Sequence, residues 1–599
     1  MKLSKLYTNN DKLFTPIDFN SKFNIILATI KHPTDDKKDS HNLGKSLLIS
    51  VIDFVLLKEI NKDKGHFLKK NQTLFKDFEF YLEIELNTGK YVTIKRRVIN
   101  NTKICLKIHK DKHQDFTKLE KKNWDDYELG IEKAKNKLNS LISFDVNTNY
   151  NYRKGITYFL RSQEDYQDVF RIKKFQSGKD EYWKPYLAGL FNFDEELIKK
   201  RFQIKNEIAS LEELKNKYEK ESSTKIEEYD KLKSIIQVKE IEANSLEKEL
   251  NSFSFKARDD KVNENLIKEI EPKIAYLNED NYNLSYEIEK ISFSLQRKIA
   301  FNIEEIRKLF NEVEVNFNDE LVKSYKELLE FNNSILEERK KNLKETLKRL
   351  LTKKDENDKL LNNLNNQRQE YMEILKEKDS FDKYKKLQKE LIKQKSEIEQ
   401  LKSKLENLMF VSRLNKEIEK LNDESDKLKD LINDNIDKTN NISTNIKSVF
   451  TDFIRKLLNS TAIIFTELNK QGNIEFVAEY LKDENTLETT SEADGHSYKK
   501  YLCMAFDIAL LINYSTSSFY RFVYHDGALE TLDNRKKIIL LKLIREYCEK
   551  YNIQYILTLI DSDIPRDIQE NKIEFDKNEV ILELNDDGEK GRLFKMQTF

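Results

Sequence analysis

Glycine is absent from 282 consecutive residues of this 599-residue chain, between Gly189 and Gly472, and the same stretch contains one proline, Pro272. Glycine and proline are the residues that most often end helices, so a long run with almost none of either favours continuous helix. Charged residues make up 35% of the chain and apolar residues 38%. That is too much charge for ordinary globular domains and too much apolar content for disorder. The sequence therefore predicts a long helical insert between two globular segments.

The insert, expected over residues 192–445, carries apolar residues at the alternating three- and four-residue spacing of a coiled coil. Two seams have this spacing, the first formed by Tyr229, Leu232, Ile236, Ala243, Leu246, Leu250 and Phe253 and the second by Leu391, Ile398, Leu401, Leu405 and Leu408. The register breaks over 303–331, which lies near the middle of the insert and is richer in Phe and Val. A chain that leaves one globular segment and reaches the other must turn there. We therefore expect an antiparallel coiled-coil arm.

Two segments flank the insert, residues 1–191 and 446–599, and both alternate short β-rich apolar runs with helical stretches. The expected strands cover 23–30, 474–480, 519–524 and 554–560, and hairpins are expected over 78–99 and 580–595. The expected helices cover 47–57, 127–142, 500–513 and 534–550, and residues 103–126 are expected to form a loop. Strands that alternate with helices indicate the α/β class.

Charge and cysteine content narrow the function classes. Lys and Arg together number 106, as do Asp and Glu, so no net charge draws the chain to nucleic acid or membrane. Basic residues outnumber acidic ones in 1–191, whereas acidic residues outnumber basic ones in 446–599. This difference favours phosphate binding by the first segment. Three cysteines without a C-x-x-C pair and an N-terminus without an apolar core are typical of a cytoplasmic protein. No apolar run is long enough to span a bilayer, so no membrane partner is expected.

The strongest local motif lies between the first expected strand and the helix after it, and it comprises Asn42, Leu43, Gly44, Lys45, Ser46 and Leu47. A phosphate-binding loop needs backbone N–H groups aimed at the anion, a lysine on the β- and γ-phosphates and a hydroxyl on Mg²⁺. Lys45 and Ser46 supply the last two. The usual pattern begins with a glycine where this chain has Asp39. The alternative interpretation is an ordinary helix start with a solvated lysine.

A phosphate loop that holds Mg²⁺ with a nucleotide needs a carboxylate from a distant strand. Asp526 fits this role because it follows the apolar and aromatic run 522–524 and His525. The alternative for Asp526 is a helix cap at the end of a strand. Lys45 and Asp526 lie in different flanking segments, so we expect the two segments to fold as one domain.

This order, half of a nucleotide-binding domain, a long antiparallel coiled coil and the other half, resembles SMC-like ABC ATPases. More closely, the chain resembles the SMC-like coiled-coil ATPases of bacterial ABC three-component defence systems. The segments that carry the resemblance are NLGKSLLISVIDFVLL, IRKLFNEVEVNFNDELVKSYKELLEF, KKYLCMAFDIAL, YHDGALETLDNRK and GRLFK. It covers nearly the whole chain and implies a P-loop ABC-type ATPase head split by the coiled coil. It also implies ATP and Mg²⁺ as cofactors, a homodimer formed through ATP-bound heads, and action on DNA with accessory and effector subunits.

The resemblance assigns roles to individual residues. Lys45 matches the phosphate-binding position, and Ser46 and Asp526 match the Mg²⁺ ligands. Gln163 matches the glutamine that touches Mg²⁺ and the attacking water, with a surface glutamine as the alternative interpretation. Asp533 matches, by its spacing from Asp526, the short loop that contacts the opposite subunit in ATP-dimerised heads.

A signature-like loop is expected just before the helix at 500–513. That loop caps ATP bound to the other head through a serine and a helix N-terminus. The candidates here are Ser491, Gly495 and Ser497. The segment departs from the pattern L-S-G-G-[QE], so the residue that touches the γ-phosphate is left open.

Two departures concern catalysis. Typical ABC ATPases have a glutamate directly after the Mg²⁺ aspartate, and this chain has Gly527. Glu530 could replace that glutamate if the loop folds back. The histidine expected at the end of the next strand is also missing, since residues 560–562 are Ile, Asp and Ser. His525 could take its place, and a buried structural histidine is the alternative. ATP binding is therefore better supported than fast hydrolysis, and a slow ATPase is expected.

Lys95, Arg96 and Arg97 end an expected hairpin strand and could meet DNA phosphates without sequence specificity, with a solvated sheet edge as the alternative. The leading hypothesis is an SMC-like ATPase that dimerises on ATP and engages DNA, in anti-phage defence or DNA repair. One alternative is a catalytically weak ATP-gated scaffold that holds an effector nuclease, and another is a purely structural coiled-coil protein. The Gly-Lys-Ser motif and Asp526 argue against a purely structural protein. Gly527 leaves the ATP-gated scaffold as an alternative.

Overall fold

The computed structural model describes the whole chain except residues 32–42, 61–64, 173–177, 223–227, 253–265, 297–318, 375–377, 484–487, 490–495, 531 and 567–570. The described residues divide into two compact units. The first contains Met1–Phe202 and Lys427–Phe599, and the second lies within Gln203–Ile306 and Glu320–Asp426. Both ends of the chain thus belong to one unit, and the second unit is made of the intervening residues.

Strands occur in the first unit, and helices in both. The strands are β1 (Lys2–Thr8), β2 (Ile17–Asp18), β3 (Phe23–Thr29), β4 (Glu79–Glu85), β5 (Tyr91–Arg97), β6 (Lys103–His109), β7 (Asp126–Gly130), β8 (Leu160–Arg161), β9 (Thr461–Leu468), β10 (Ile474–Asp483), β11 (Glu488–Thr489), β12 (Phe522–His525), β13 (Gln554–Ile560) and β14 (Val580–Asn585). The α-helices are α1 (Lys45–Val55), α2 (Phe67–Lys70), α3 (Ile131–Ile142), α4 (Tyr152–Gly155), α5 (Lys184–Leu190), α6 (Glu195–Ser222), α7 (Tyr229–Asn251), α8 (Glu271–Gln296), α9 (Asp319–Ile374), α10 (Lys378–Asp437), α11 (Asn441–Leu458), α12 (His496–Asn513) and α13 (Asn534–Tyr551). Among these described helices, none is both long and apolar enough to cross a bilayer.

A parallel sheet joins the two flanking segments of the chain. In the described residues its strand order is β14-β3-β13-β12-β8, and each neighbouring pair runs parallel. β3 and β8 come from the first segment, whereas β12, β13 and β14 come from the last. β3, β12 and β13 are buried along most of their length, as parallel strands are when both faces of a sheet are covered. The expected mixed α/β architecture with long helices is confirmed.

Antiparallel strands form two further sheets in the first unit, with the orders β2-β1-β4-β5-β6-β7 and β11-β10-β9. β4 and β5 form the expected hairpin. The loop expected over 103–126 is wrong at its start, because β6 adds to this hairpin beside β5, whereas residues 110–125 contain neither strand nor α-helix. Ile104, Leu106 and Ile108 alternate with Cys105 and Lys107 along β6, and this period of two puts the three apolar residues on one face despite the lysines.

The hairpin expected over 580–595 is also wrong. β14 pairs in parallel with β3, and Phe594 makes a single antiparallel bridge with Phe14. The ring of Phe594 lies 4.9 Å from that of Phe75 and 5.9 Å from that of Phe78, measured between centroids. Aromatic packing and one bridge, rather than a strand beside β14, therefore hold Phe594 in place.

In the second unit, α7 packs against α10. Their shared core consists of the buried residues Leu232, Ile236, Ala243, Leu391, Ile398 and Leu408. Lys402 lies 3.0 Å from Glu240, and Lys395 lies 3.0 Å from Glu247. A step forward along α7 thus matches a step back along α10, so the pairing is antiparallel. These partly exposed ion pairs each contribute about 0–1 kcal/mol, and the apolar seam contributes most of the stability.

α8 and α9 form a second antiparallel pair in the same unit. The Asn357 side chain donates a hydrogen bond of 2.7 Å to Asp280, and Glu271, at the start of α8, lies 3.9 Å from Arg368 near the end of α9. The turn expected over 303–331 lies mostly outside the described residues, and the chain is helical from Asp319 onward.

Replacing Leu408 by alanine should destabilise the coiled coil, because Leu408 is 1% exposed within the α7–α10 core. We expect a local loss of about 2–5 kcal/mol, measured as faster amide hydrogen exchange along α7 and α10. Met409 is the neighbouring residue and is 41% exposed, so Met409→Ala should change stability by only about 0.5 kcal/mol. Equal effects of the two substitutions would show that this seam is not the packed core.

Candidate functional site

Polar side chains that follow three strands, and one at the start of α1, lie at the carboxyl edge of the parallel sheet. Gln163 follows β8, Asp526 follows β12, and Asp563 follows β13. Ser46 lies in the first turn of α1, the next helix after β3. Parallel strands end at the same edge of a sheet, and open α/β sheets bind their ligands in the crevice outside that edge. The topology therefore brings together residues from both ends of the chain.

Gly44 precedes α1 and has a left-handed backbone conformation, with φ of 99°. The Leu593 N–H donates a hydrogen bond of 3.0 Å to the Leu43 carbonyl. A methyl group added at Gly44 would lie 2.8 Å from Leu593 Cβ, so both backbone conformation and space require glycine here. Leu47 continues the first turn of α1 by donating its N–H to the Gly44 carbonyl. Asn42 lies outside the described residues.

Asp526 is 1% exposed and its carboxylate is bound by two hydroxyl groups. Ser46 Oγ donates to Asp526 Oδ2 at 2.8 Å, and Thr558 Oγ1 donates to Oδ1 at 2.6 Å. Thr558, in β13, also accepts a hydrogen bond from the Gly527 N–H. Each carboxylate oxygen thus has a partner, as a buried charge requires. The two predicted Mg²⁺ ligands Ser46 and Asp526 are in direct contact.

Lys45 is 7% exposed and faces three carboxylates. Burial lowers the pKa of Lys45 below that of an exposed lysine, and the negative charges of Asp526, Glu530 and Asp563 oppose this effect. A lysine in this position can attract a polyanion strongly, because burial removes much of the solvent screening. The alternative of a solvated lysine at an ordinary helix start does not fit this environment.

Gln163 and Glu530 contact each other beside Gly527. Gln163 Nε2 donates a hydrogen bond of 2.7 Å to Glu530 Oε1. Gly527 has φ of 62°, and a methyl group added to it would lie 2.6 Å from Gln163 Nε2 and 2.8 Å from Glu530 Oε1. The Glu530 carboxylate therefore occupies the space into which a side chain at 527 would point. A glutamate at 527 would collide with it and would also strain the backbone.

His525, the last residue of β12, is completely buried. Its Nε2 lies 3.0 Å from Asp507 Oδ2, and its Nδ1 lies 2.6 Å from the Tyr555 hydroxyl. Burial lowers the pKa of His525, and the hydrogen bond with Asp507 opposes this. Both ring nitrogens are occupied by protein groups, so neither is available to a water molecule in this arrangement. This geometry favours the structural alternative for His525 over the catalytic one.

Asp507 links His525 to a second buried charge. It accepts two hydrogen bonds of 2.7 Å from the guanidinium of Arg161, and neither side chain is exposed. Burial acts to lower the pKa of Arg161, but the adjacent Asp507 carboxylate outweighs it and raises that pKa. Arg161 ends β8 just before Gln163, and His525 directly precedes Asp526. The three side chains thus hold together the strands that end at the site.

Sequence reasoning assigned no role to four side chains at this edge, although two of them lie in the segments KKYLCMAFDIAL and GRLFK. They are Lys500, Thr558, Asp563 and Leu593. Lys500 donates a hydrogen bond of 2.9 Å to the Gly527 carbonyl, and Asp563 lies 3.3 Å from Lys537. The available sequence signals are a polar residue within a buried strand and a lysine at the start of an apolar helix, and neither specifies a contact.

Much of the predicted signature-like loop lies outside the described residues. This holds for Ser491 and Gly495, and Ser497 is described only as part of the first turn of α12. Asp533 is the N-cap of α13, where its carboxylate accepts the Arg535 N–H at 2.9 Å. That bond lowers the pKa of Asp533. Asp533 is exposed.

The basic trio at the end of β5 does not form a free phosphate-binding patch. Arg96 is completely buried and donates to the carbonyls of Phe54, Lys58 and Asn101. Burial lowers its pKa to about 9. Lys95 is paired with Glu79 at 2.8 Å, and Arg97 with Glu128. Arg96 therefore cannot make the proposed DNA contact, because the period of two turns its side chain into the core. The alternative of a solvated sheet edge is wrong, because β5 lies between β4 and β6.

The oxygen donors at the site fit Mg²⁺. The ion prefers oxygen ligands and is commonly held by one or two protein groups together with phosphate oxygens and waters. Ser46 and Asp526 supply a hydroxyl and a carboxylate in contact, and Gln163 supplies an amide beside Gly527. The described residues contain no cluster of three or more His, Cys, Asp or Glu side chains for a metal. An ion here would take its remaining ligands from waters or phosphate oxygens.

Comparison with protein families matches the C-terminal part of the chain. Residues 453–598 match the family described as an uncharacterised protein conserved in bacteria, DUF2326. The match covers about a quarter of the chain and includes α12, β12 and β13. No curated protein sequence matches the chain.

Comparison with solved structures returns Smc heads with coiled coils. The Smc head domain with a coiled coil and joint from Pyrococcus yayanosii is 14% identical, with a TM-score of 0.32 and coverage of 93% of this chain and 92% of that one. The Smc head domain with an extended coiled coil from Pyrococcus furiosus, bound to the C-terminal domain of ScpA, is 10% identical, with a TM-score of 0.30 and coverage of 94% and 90%. TM-scores this low do not establish a common fold.

Gly527→Ala should destabilise the first unit more than Gly89→Ala. Both glycines have a positive φ, of 62° and 78°, but nothing lies within 4 Å of a methyl group at Gly89. Each substitution should cost about 1–2 kcal/mol in backbone strain, and Gly527→Ala about 1–3 kcal/mol more from overpacking against Gln163 and Glu530. Thermal unfolding of the two variants measures the difference. Equal losses would mean that the space beside residue 527 is open.

Proposed function

We propose that this chain is an SMC-like ATPase whose heads bind Mg²⁺ and ATP, dimerise on the nucleotide and engage DNA. The observation that carries the proposal is the 2.8 Å hydrogen bond between Ser46 and Asp526, which are 480 residues apart in sequence. In P-loop nucleoside triphosphatases, the protein ligands of Mg²⁺ are a hydroxyl that follows Gly-Lys and a carboxylate that follows another parallel strand. Their contact at the ligand-binding edge of the sheet supports this assignment.

The role of each residue follows from this arrangement. Lys45 binds the phosphates, and Ser46 and Asp526 hold Mg²⁺, which neutralises phosphate charge when bound. Thr558 and the buried Asp526 carboxylate form a hydrogen bond of 2.6 Å, which fixes that carboxylate before any ligand arrives. A preformed site loses little conformational freedom on binding.

Glu530 orients the attacking water in this proposal. Its carboxylate occupies the space beside Gly527 and is held there by Gln163 at 2.7 Å. Burial raises the pKa of Glu530, and the positive charge of Lys500 is the strongest influence that opposes this. A partly buried carboxylate with a raised pKa is a better base than an exposed one. We expect slow hydrolysis, because Gly527 stands at the position of the usual catalytic glutamate.

Head dimerisation, DNA binding and accessory or effector subunits are proposed from the sequence resemblance. Asp533 and the signature-like residues Ser491, Gly495 and Ser497 are the proposed contacts with the second head and its nucleotide. DNA is bound without sequence specificity and through residues other than Arg96, whose guanidinium is buried. Anti-phage defence and DNA repair are the two processes that fit an ATPase of this kind.

A second candidate is an ATP-gated coiled-coil scaffold that hydrolyses ATP very weakly and holds an effector nuclease. Gly527 favours it, because the position of the usual catalytic glutamate is occupied by a residue without a side chain. The two candidates share the nucleotide site and differ in turnover.

Lys45→Ala should abolish ATP binding and ATP-dependent dimerisation while the helical content stays unchanged, because Lys45 contributes charge to the phosphates and little packing. Ser46→Ala should weaken binding of Mg²⁺-ATP by about tenfold or more, since it removes a metal ligand and leaves Asp526 with an unpaired oxygen. Nucleotide titration with and without Mg²⁺ and size-exclusion chromatography measure these effects.

Ser50→Ala is the matched control for Ser46→Ala. Ser50 lies one turn further along α1, and its hydroxyl donates to the Ser46 carbonyl at 3.4 Å. The control should bind ATP as the wild type does. Unchanged nucleotide affinity in Lys45→Ala would exclude the ATPase function and the scaffold together.

Glu530→Gln should trap ATP-bound dimers and lower single-turnover hydrolysis by about 10²–10⁴-fold, because the substitution keeps the shape and removes the base. Glu546→Gln, on the exposed face of α13, serves as the control and should have no effect. Absent turnover in the wild type would favour the scaffold. Brisk hydrolysis that is unaffected by Glu530→Gln would mean that another group orients the water, with the Mg²⁺ site still standing.

A further inference from the structure

Lys500 is one of the most deeply buried charged residues at the sheet edge. It lies near the start of α12 and is 2% exposed. Its Nζ donates to the Gly527 carbonyl at 2.9 Å and to the Glu530 carbonyl at 3.3 Å. It also lies 5.3 Å from the centre of the Tyr166 ring. A buried ammonium group is costly unless it is paired, so two carbonyls and an aromatic face are strong constraints on where this side chain can lie.

The two carbonyls that Lys500 binds are the first and last of one turn. The Glu530 N–H donates to the Gly527 carbonyl at 3.3 Å, which closes residues 527–530 as a turn. Gly527 opens the turn in a left-handed conformation. One ammonium group therefore holds both ends of the segment that carries Glu530. Without it, this turn would keep its internal hydrogen bond, the bond from the Gly527 N–H to Thr558 and the bond from Gln163 to the Glu530 side chain, but no bond to α12 through its carbonyls.

The same helix also fixes the strands on either side of that turn. Asp507 lies two turns further along α12 and binds Arg161 at the end of β8 and His525 at the end of β12. Gln163 follows β8, and Asp526 follows β12. α12 is thus the common support of the segments bearing Gln163, Asp526 and Glu530, and Lys500 is its contact with the last.

Resting on the proposed ATPase function, we propose that Lys500 is a positioning residue for hydrolysis, which holds the 527–530 turn against α12 so that the Glu530 carboxylate stays beside Gln163. Lys500 itself touches neither the nucleotide nor the water. Its effect passes through the main chain of the turn, because its two hydrogen bonds go to backbone carbonyls. A displacement of about 1 Å in a positioned group can lower a rate about 10²-fold.

The test compares Lys500→Met with Lys499→Met in the full chain. Methionine keeps most of the length of lysine and removes the donors, and Lys499 is the preceding residue of the same helix. We expect Lys500→Met to lower kcat by about 10²-fold and to leave the ATP dissociation constant within about threefold. Lys499→Met should leave both unchanged. A merely structural role would lower ATP binding and turnover together.

A double-mutant cycle with Glu530→Gln tests whether Lys500 acts through Glu530. Adding Lys500→Met to Glu530→Gln should cause no further loss of kcat, because the base it positions is already gone. Lys500→Arg keeps the charge and the donors, so it should retain more activity than Lys500→Met. If Lys500→Met fails to fold, Lys500→Gln, which keeps one amide donor, replaces it in the same comparison.

The outcomes separate this inference from the proposed function. A wild-type protein without ATP turnover would overturn the ATPase function, and the role of Lys500 with it. A wild-type protein with turnover whose kcat is unchanged by Lys500→Met would overturn the inference alone. Losses that multiply in the double mutant, or that affect ATP affinity equally, would make Lys500 a residue of the fold only.

Discussion

The buried carboxylate of Asp526 is the constraint on which the rest of the first unit depends. A carboxylate that is 1% exposed must be satisfied on each oxygen, and its partners are Ser46 from α1 and Thr558 from β13. These three residues can meet only if β3, β13 and β12 lie side by side. The contacts at the site therefore require this strand order. A different strand order would leave the buried Asp526 carboxylate without hydrogen-bond partners.

Helix α12 adds a second level of order, since two of its charged side chains are buried at the site and both bind backbone or charge on neighbouring segments. Buried charged groups contribute little net stability, because the energy lost on desolvation offsets most of the attraction. Their demand for exact partners restricts which arrangements of the strands are tolerated. Lys500 and Asp507 thus account for the geometry around Gly527 better than apolar packing, which has no direction.

Sequence alone predicted the parts of the structure that depend on short-range patterns. The strand at β3, the helix after Gly44, the strand before Asp526 and the α7–α10 seam follow from hydrophobic period and local motifs. Sequence reasoning failed where the structure depends on contacts between distant segments. The strand β6 was not predicted, because its lysines indicate a loop and its pairing with β5 is not visible in the sequence. The burial of Arg96 was not predicted, because no local pattern shows which face of β5 is buried. Lys500 has no local signal, since its partners are main-chain carbonyls of a distant turn.

The interleaved sheet also has a consequence for how the protein is made. β8 is complete at Arg161, yet its neighbour β12 begins at Phe522, about 360 residues later. Ribosomes add ~5–20 residues per second, so β8 waits roughly 20–70 s for β12. β3 waits longer, because its partner β13 begins only at Gln554, and an unpaired apolar strand is the kind of surface that aggregates. The length of the coiled coil thus extends the time for which the nascent N-terminal segment can aggregate.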